Sequence, residues 1–194
     1  MSNIPKDTYT PENQAKTSPV SVLFLTANNT EDLEFFYPYY RFIEEGFKVD
    51  VVTPDGGAFK GKQGLGISQT KKITDVKAND YQLLYIPGGK APAELKQNND
   101  AIALTKAYVQ TGRPVAAVCH GPQILAAAGV ISGKKIAAWP EVEGEVEEAG
   151  AEYVNQQTCV DGQFITARWP ADLPFHVAKT LEVLKNSKSL KKAA

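Results

Sequence analysis

The stretch R-P-V-A-A-V-C-H-G-P-Q-I-L, residues 113–125, sets one of the chain's two cysteines, Cys119, directly before one of its two histidines, His120. Ala117-Val118-Cys119-His120-Gly121 has the small-x-nucleophile-x-small spacing of a strand-to-helix elbow, whose sharp turn needs small neighbours and holds the central side chain up at a site. Pro122 then suits the first position of a helix. A thiol at such a place faces unpaired N–H groups and the positive end of the helix, which can bring a cysteine from about 8.5 into a range of roughly 3.5 to 7.5. The expectation is a resting thiolate that acts as nucleophile. A buried structural cysteine is the plainer alternative, but it explains neither the elbow spacing nor the adjacent histidine.

Three further stretches follow predicted strands and would meet Cys119 at one end of a sheet. In T-A-N-N-T-E-D-L-E, Glu31 and Asp32 open a helix, where carboxylates also suit the dipole with no catalytic duty. A carboxyl group beside Cys119 would have to be protonated to avoid repelling a thiolate, and would then donate a hydrogen bond to the sulfur. In Y-I-P-G-G-K-A-P-A-E-L, Gly88 and Gly89 either make a turn or bring backbone N–H groups close to a developing oxyanion. Glu94, a few residues on, is a candidate acid partner for His120, because neighbouring residues at a sharp turn project apart and the imidazole needs a third group to orient it. In T-A-R-W-P-A-D-L-P-F-H, Arg168 and Trp169 are pocket candidates, Asp172 reads as a helix cap, and His176 reads as structural. Cys159 has no acid or histidine beside it and reads as inert, and no metal-ligand spacing is present.

These stretches need a frame. Runs at 20–27, 47–53, 81–87 and 113–119 read as buried strands, and helical patterns separate most of them. Leu33, Phe36, Tyr37, Tyr40 and Ile43 recur at three- and four-residue spacing, which predicts one helix face, with Pro38 interrupting the helix and Gly46 closing it. Residues 56–71 have the turn density of a hairpin outside the main sheet. Alternating strands and helices imply a parallel sheet covered on both faces, with its site at the carboxyl ends of the strands. Polar residues 1–19 are expected to form an arm, 20–187 a single domain, and 188–194 a basic tail.

Composition excludes several classes. The 21 basic and 22 acidic residues nearly cancel, so no global field recruits nucleic acid or an anionic membrane. The apolar runs are shorter than a bilayer requires, and the first residues lack the pattern of a signal peptide. Two cysteines make no disulfide framework, so a reducing cytoplasm is the expected compartment.

The segments V-L-F-L-T-A-N-N-T-E-D-L-E, Y-I-P-G-G-K-A-P-A-E-L, A-V-C-H-G-P-Q and F-I-T-A-R-W-P-A-D-L-P, in this order over residues 20–184, resemble the intracellular protease I branch of the ThiJ/PfpI superfamily. The resemblance implies a flavodoxin-like, three-layer α/β sandwich with a mostly parallel central sheet and a nucleophile elbow at Cys119. It implies that Glu31 is protonated and hydrogen-bonded to the sulfur, and that Gly88, Gly89 and the His120 backbone supply oxyanion donors. It also implies a homodimer or a hexamer of dimers with the site near an interface, and no cofactor. Two departures stand out: the glutamate that such proteases carry after P-G-G-x-A-P is replaced by Ala93, with Glu94 displaced by one, and Trp139 occupies a common tyrosine position in the pocket wall.

The leading expectation is a cofactor-independent enzyme of glyoxalase or deglycase type. Its Cys119 would add to a small reactive carbonyl or a glycated adduct, including one on a protein, in stress protection. An intracellular cysteine peptidase is the nearest alternative, and Ala93 weighs against it. A non-enzymatic redox sensor or chaperone would use the same thiol.

Overall fold

A computed structural model of the chain describes residues 20–187, and the expected arm 1–19 and tail 188–194 lie outside the described residues. Strands β1 (Ser21–Leu25), β2 (Lys48–Thr53), β5 (Lys71–Lys72), β6 (Leu83–Ile86), β7 (Val115–Val118), β10 (Cys159–Asp161) and β11 (Phe164–Ala167) form one sheet in the order β10-β11-β7-β6-β1-β2-β5. All neighbours are parallel except β10 and β11, which pair antiparallel with Cys159 opposite Thr166. Strands β3 (Phe59–Lys60) and β4 (Gly66–Ile67) make an antiparallel hairpin outside this sheet, and β8 (Lys135–Ile136) pairs with β9 (Glu152–Tyr153).

The central strands are apolar on both faces because both are covered. Leu23, Leu25, Leu84, Ile86, Val115 and Ala117 point toward helices α2 (Ala91–Leu95), α3 (Asn99–Gln110), α4 (Pro122–Ala127) and α5 (Glu143–Glu148). Val22, Phe24, Leu83, Tyr85, Ala116 and Val118 point the other way, toward α1 (Asp32–Glu44) and α6 (Leu173–Asn186). Period-two alternation thus serves two cores. This is a flavodoxin-like α/β sandwich, as expected. No helix among the described residues is long and apolar enough to cross a membrane.

One expectation about α1 is corrected. The row Leu33, Tyr37 and Tyr40 faces outward, these side chains being 61%, 42% and 53% exposed. The buried row is Glu34, Phe35, Pro38, Tyr39 and Phe42. The helix is aromatic on nearly every side, so spacing alone offers two apolar stripes, and packing of Phe35 and Phe42 edge-on to Phe24 selects the second.

The sheet order reverses at β1, which lies between β2 and β6. Crevices beyond the carboxyl ends of strands form at such switch points. The segments following β1, β6 and β7 all open there, and they carry Glu31 to Glu34, Gly88 and Gly89, and Cys119 and His120.

Candidate active site

Cys119 follows β7 directly, in a left-handed backbone conformation with φ of 61°. A residue with a Cβ adopts this region at a cost of order 1 kcal/mol or more, and here the conformation is held from both sides. Its N–H donates to the Ala167 carbonyl at 3.0 Å, and its carbonyl accepts the Trp139 N–H at 2.9 Å. Gly121 is required because a Cβ there would lie 2.5 Å from the Ile86 oxygen. The elbow inferred from spacing is therefore present, and α4 begins at Pro122 just beyond it.

The carboxyl group against the thiol belongs to Glu34, which corrects the assignment of Glu31. Glu34 is fully buried, its carboxyl acts on the Cys119 thiol, and its Oε2 accepts the Gly88 N–H at 2.9 Å while Oε1 has no hydrogen-bond partner among the described residues. It reaches the sulfur because it lies on the inward row of α1. Glu31 precedes the helix in an extended conformation and turns its Oε2 to the Lys62 ammonium, 3.0 Å away.

Burial pushes Glu34 up to about 7, opposed by the Cys119 side chain and the Gly88 N–H, while the Glu31 charge adds to the rise and that of Lys62 counters it. The Cys119 thiol is also raised, first by burial and then by the neighbouring Glu34 carboxyl, while the Gly89 and His120 N–H groups pull it down. Closely spaced acidic groups cannot both ionise readily, so near neutral pH the pair keeps at least one proton. The expectation of a thiolate set by the helix start alone is corrected accordingly: α4 has only six residues, and burial outweighs its N-terminal N–H groups.

The glycines divide their duties differently from the expectation. The Gly88 N–H is engaged by Glu34 and so is not free to meet an oxyanion, whereas the Gly89 and His120 N–H groups act on the Cys119 thiol. Gly88 is confined by chemistry on three sides, since a Cβ would sit 2.6 Å from Glu34 Oε2, 2.7 Å from Cys119 Cβ and 2.8 Å from the His120 nitrogen. Gly89, with φ of 79°, would press a Cβ to 2.3 Å from the Glu31 nitrogen. The loops after β1 and β6 are thereby joined: Thr30 bridges Gly89, and both the Glu31 N–H and the Thr30 hydroxyl donate to the Gly88 carbonyl.

His120 does meet the nucleophile, contrary to the expectation that adjacent side chains at the elbow diverge. Its Nδ1 lies 3.1 Å from Sγ. Burial lowers its pKa, the charge of Lys62 acts in the same direction, and Glu141 and Glu145 oppose. Glu94 is exposed on α2, and Glu141 and Glu145 are the acids whose charges reach the imidazole. Glu145 is held by Lys96 at 2.8 Å and by the amide of Gln123 at 2.6 Å.

Trp139 is stacked on the His120 ring with centroids 6.0 Å apart and 21° between planes. Trp169 meets Trp139 edge-on at 6.1 Å. Arg168 is one step further out: its guanidinium covers Trp169 at 4.1 Å and is tied to Asp172 by Nε at 2.8 Å and Nη2 at 3.1 Å. Asp172 thus braces Arg168 and offers no side-chain hydrogen bond to the helix start it was expected to cap. His176 is a core residue on α6, and Cys159 is buried with its thiol donating to the Lys135 carbonyl at 3.4 Å.

Two residues of this arrangement lay outside the sequence reading. Glu34 was available as the last acid of E-D-x-E, but the choice of helix face hid it. Lys62 sits in the turn between β3 and β4, and nothing local in G-K-Q-G-L signals where that turn docks.

Residues 20–183 match the DJ-1/PfpI family model, and the chain belongs to that family. It is 34% identical over 166 residues to the deglycase PfpI of Pyrococcus furiosus, covering 86% of this chain and 100% of the relative. It is 36% identical over 166 residues to protein/nucleic acid deglycase 2 of Escherichia coli, covering 84% and 96%. Among solved structures, a two-domain protein of Anabaena variabilis with DJ-1/ThiJ/PfpI-like and ferritin-like domains superposes with a TM-score of 0.83 and 31% identity. That match covers 88% of this chain and 50% of the Anabaena protein.

Proposed function

We propose that the chain is a cysteine-dependent, cofactor-independent enzyme that acts on small reactive carbonyls or glycated adducts, of deglycase or glyoxalase type. The observation that carries this reading is the convergence on one sulfur: His120 Nδ1 lies 3.1 Å from it, and the buried Glu34 carboxyl and the Gly89 and His120 N–H groups act on the same thiol. The names of the relatives from Pyrococcus furiosus and Escherichia coli support it.

The arrangement suits addition of sulfur to an aldehyde. As the Cys119 sulfur forms its bond to the carbonyl carbon, the thiol proton passes through the Glu34 carboxyl to the carbonyl oxygen. This leaves a hemithioacetal with no net change in protons. Charge that develops on the oxygen during this step meets backbone N–H donors in a water-poor site. His120, kept neutral by burial, is the base that moves a proton from the carbon bearing oxygen and sulfur to the neighbouring carbonyl carbon by way of an enediol. From methylglyoxal this gives a lactoyl thioester, and water then releases lactate and restores the thiol. From a glycated amine adduct, the departing group is the amine.

Methylglyoxal consumption and lactate formation by the unaltered protein, Cys119→Ala and Glu34→Gln test the proposal. Lactate formation that falls to background in Cys119→Ala is the expected result, and consumption unchanged in that variant overturns it. Cleavage of a fluorogenic peptide that depends on Cys119, without carbonyl turnover, would assign the peptidase reading instead.

A further inference from the structure

The hairpin of β3 and β4 is fastened to the site by more bonds than a surface excursion needs. The Asp32 carboxylate, only 4% exposed, accepts the N–H of Gln63 at 2.8 Å and of Leu65 at 3.1 Å. Gly61 allows the close approach, since a Cβ there would lie 2.5 Å from Asp32 Oδ2. The Lys62 N–H donates to the Thr30 carbonyl at 2.9 Å, and the Asn29 N–H donates to the Lys60 carbonyl at 2.7 Å. All these partners belong to the segment that also carries Glu31 and Glu34. The tip of the hairpin, Lys62, is consequently fixed where its ammonium meets Glu31 at 3.0 Å. Glu31 in turn is bonded through its N–H to the carbonyl of Gly88, the residue packed on the Cys119 Cβ.

We propose that Lys62 is the counter-ion of the Cys119–Glu34 pair, a positioning residue whose charge stabilises the anion formed when that pair loses a proton, and that Glu31 serves to hold it. The groups that face this centre are Glu34 from α1, Glu31 from the residue before it, His120 from the elbow, Tyr85 from β6, and, beyond His120, Glu141 and Glu145. Among the described residues, Lys62 is the cation whose field acts on Glu34, Cys119 and His120 together, and at Glu34 the Glu31 carboxylate opposes it. A positive charge at this range favours the deprotonated pair and disfavours a charged imidazole. It also attracts anionic reagents to the sulfur. The inference rests on the proposed function only in taking Cys119 as the reacting atom.

The test is the rate of Cys119 alkylation between pH 5 and 10, measured by intact mass in a Cys159→Ala background, with neutral iodoacetamide and anionic iodoacetate. Lys62→Met should slow iodoacetamide at neutral pH by about 3- to 10-fold and move the profile up by about 0.5 to 1 unit. It should slow iodoacetate by a larger factor, and Lys62→Arg should restore both. The backbone bond of residue 62 to Thr30 survives either substitution, and matching thermal melts would verify that the hairpin remains docked. Superimposable profiles for Lys62→Met and the parent overturn the proposal. So does an equal shift in Lys62→Met and Lys62→Arg, or an unchanged ratio of the two reagents. Because alkylation requires no turnover, these outcomes stand apart from failure of the carbonyl assay.

Discussion

The Glu34 carboxyl accepts the Gly88 N–H at 2.9 Å and acts on the Cys119 thiol from its buried place on α1. It lies one helical turn from Glu31, whose carboxylate faces Lys62 instead. Glu34→Gln should therefore cut carbonyl turnover by about 100-fold or more, the scale of a lost acid–base group. Glu31→Gln should cost less than about 10-fold, because it loosens Lys62 and also removes a negative charge that raises Glu34. Equal losses in the two variants, measured as kcat/KM, would contradict this division.

Two buried groups oppose each other in acid. Glu34 is raised from 4.5 to about 7, so between these values the folded state holds a proton that the unfolded state releases, and stability falls as pH rises. His176 is lowered by burial from 6.5 to about 4, so over nearly the same window the unfolded state holds the proton, and stability falls as pH drops. Each effect is about 3 kcal/mol in full. Removing one exposes the other: in urea unfolding between pH 4 and 7, Glu34→Gln should gain stability with rising pH and His176→Leu should lose it. Parallel slopes in the two variants would refute the compensation.

The left-handed backbone at Cys119 makes glycine the better replacement there. Cys119→Gly should be more stable than Cys119→Ala by about 1 kcal/mol, the reverse of their order at a helical site. Denaturant midpoints of the two inactive variants provide the comparison, and a more stable alanine variant would show that the turn relaxes.

Asp32→Ala should release the hairpin tip. It leaves the N–H groups of Gln63 and Leu65 without their carboxylate, at a cost of about 1 to 3 kcal/mol. Amide exchange should accelerate at 61–65 while β6 and β7 keep their protection. Unchanged exchange at Gln63 and Leu65 would mean that the clamp is dispensable.

The parts of this structure that were legible in sequence are those set by local sterics and by period. The elbow is one, because small residues flank Cys119 at fixed spacing, and the two-faced apolar strands are another. The acid was misassigned for a reason equally physical. An aromatic α1 offers two plausible buried rows, and only the fit of Phe35 and Phe42 against Phe24 turns Glu34 inward. Glu94 was misread because proximity in sequence to Gly88 and Gly89 says nothing about direction, and α2 carries its side chain to solvent. Lys62 was invisible because its placement depends on bonds between segments about thirty residues apart, Asp32 to Gln63 and Leu65. The thiol's ionisation was also beyond local reading, since it depends on burial and on Glu34 more than on the helix start.

The bridge between Thr30 and Gly89 has a consequence for selectivity. It couples the acid-bearing loop to the loop that offers the Gly89 amide, so neither can swing independently to wrap a guest molecule. A catalytic mouth with so stiff a jaw senses the electrophilic carbon and little of what trails behind it. On the proposed function, breadth of substrate is the expected outcome, and Trp139 and Trp169 are the side chains that would discriminate.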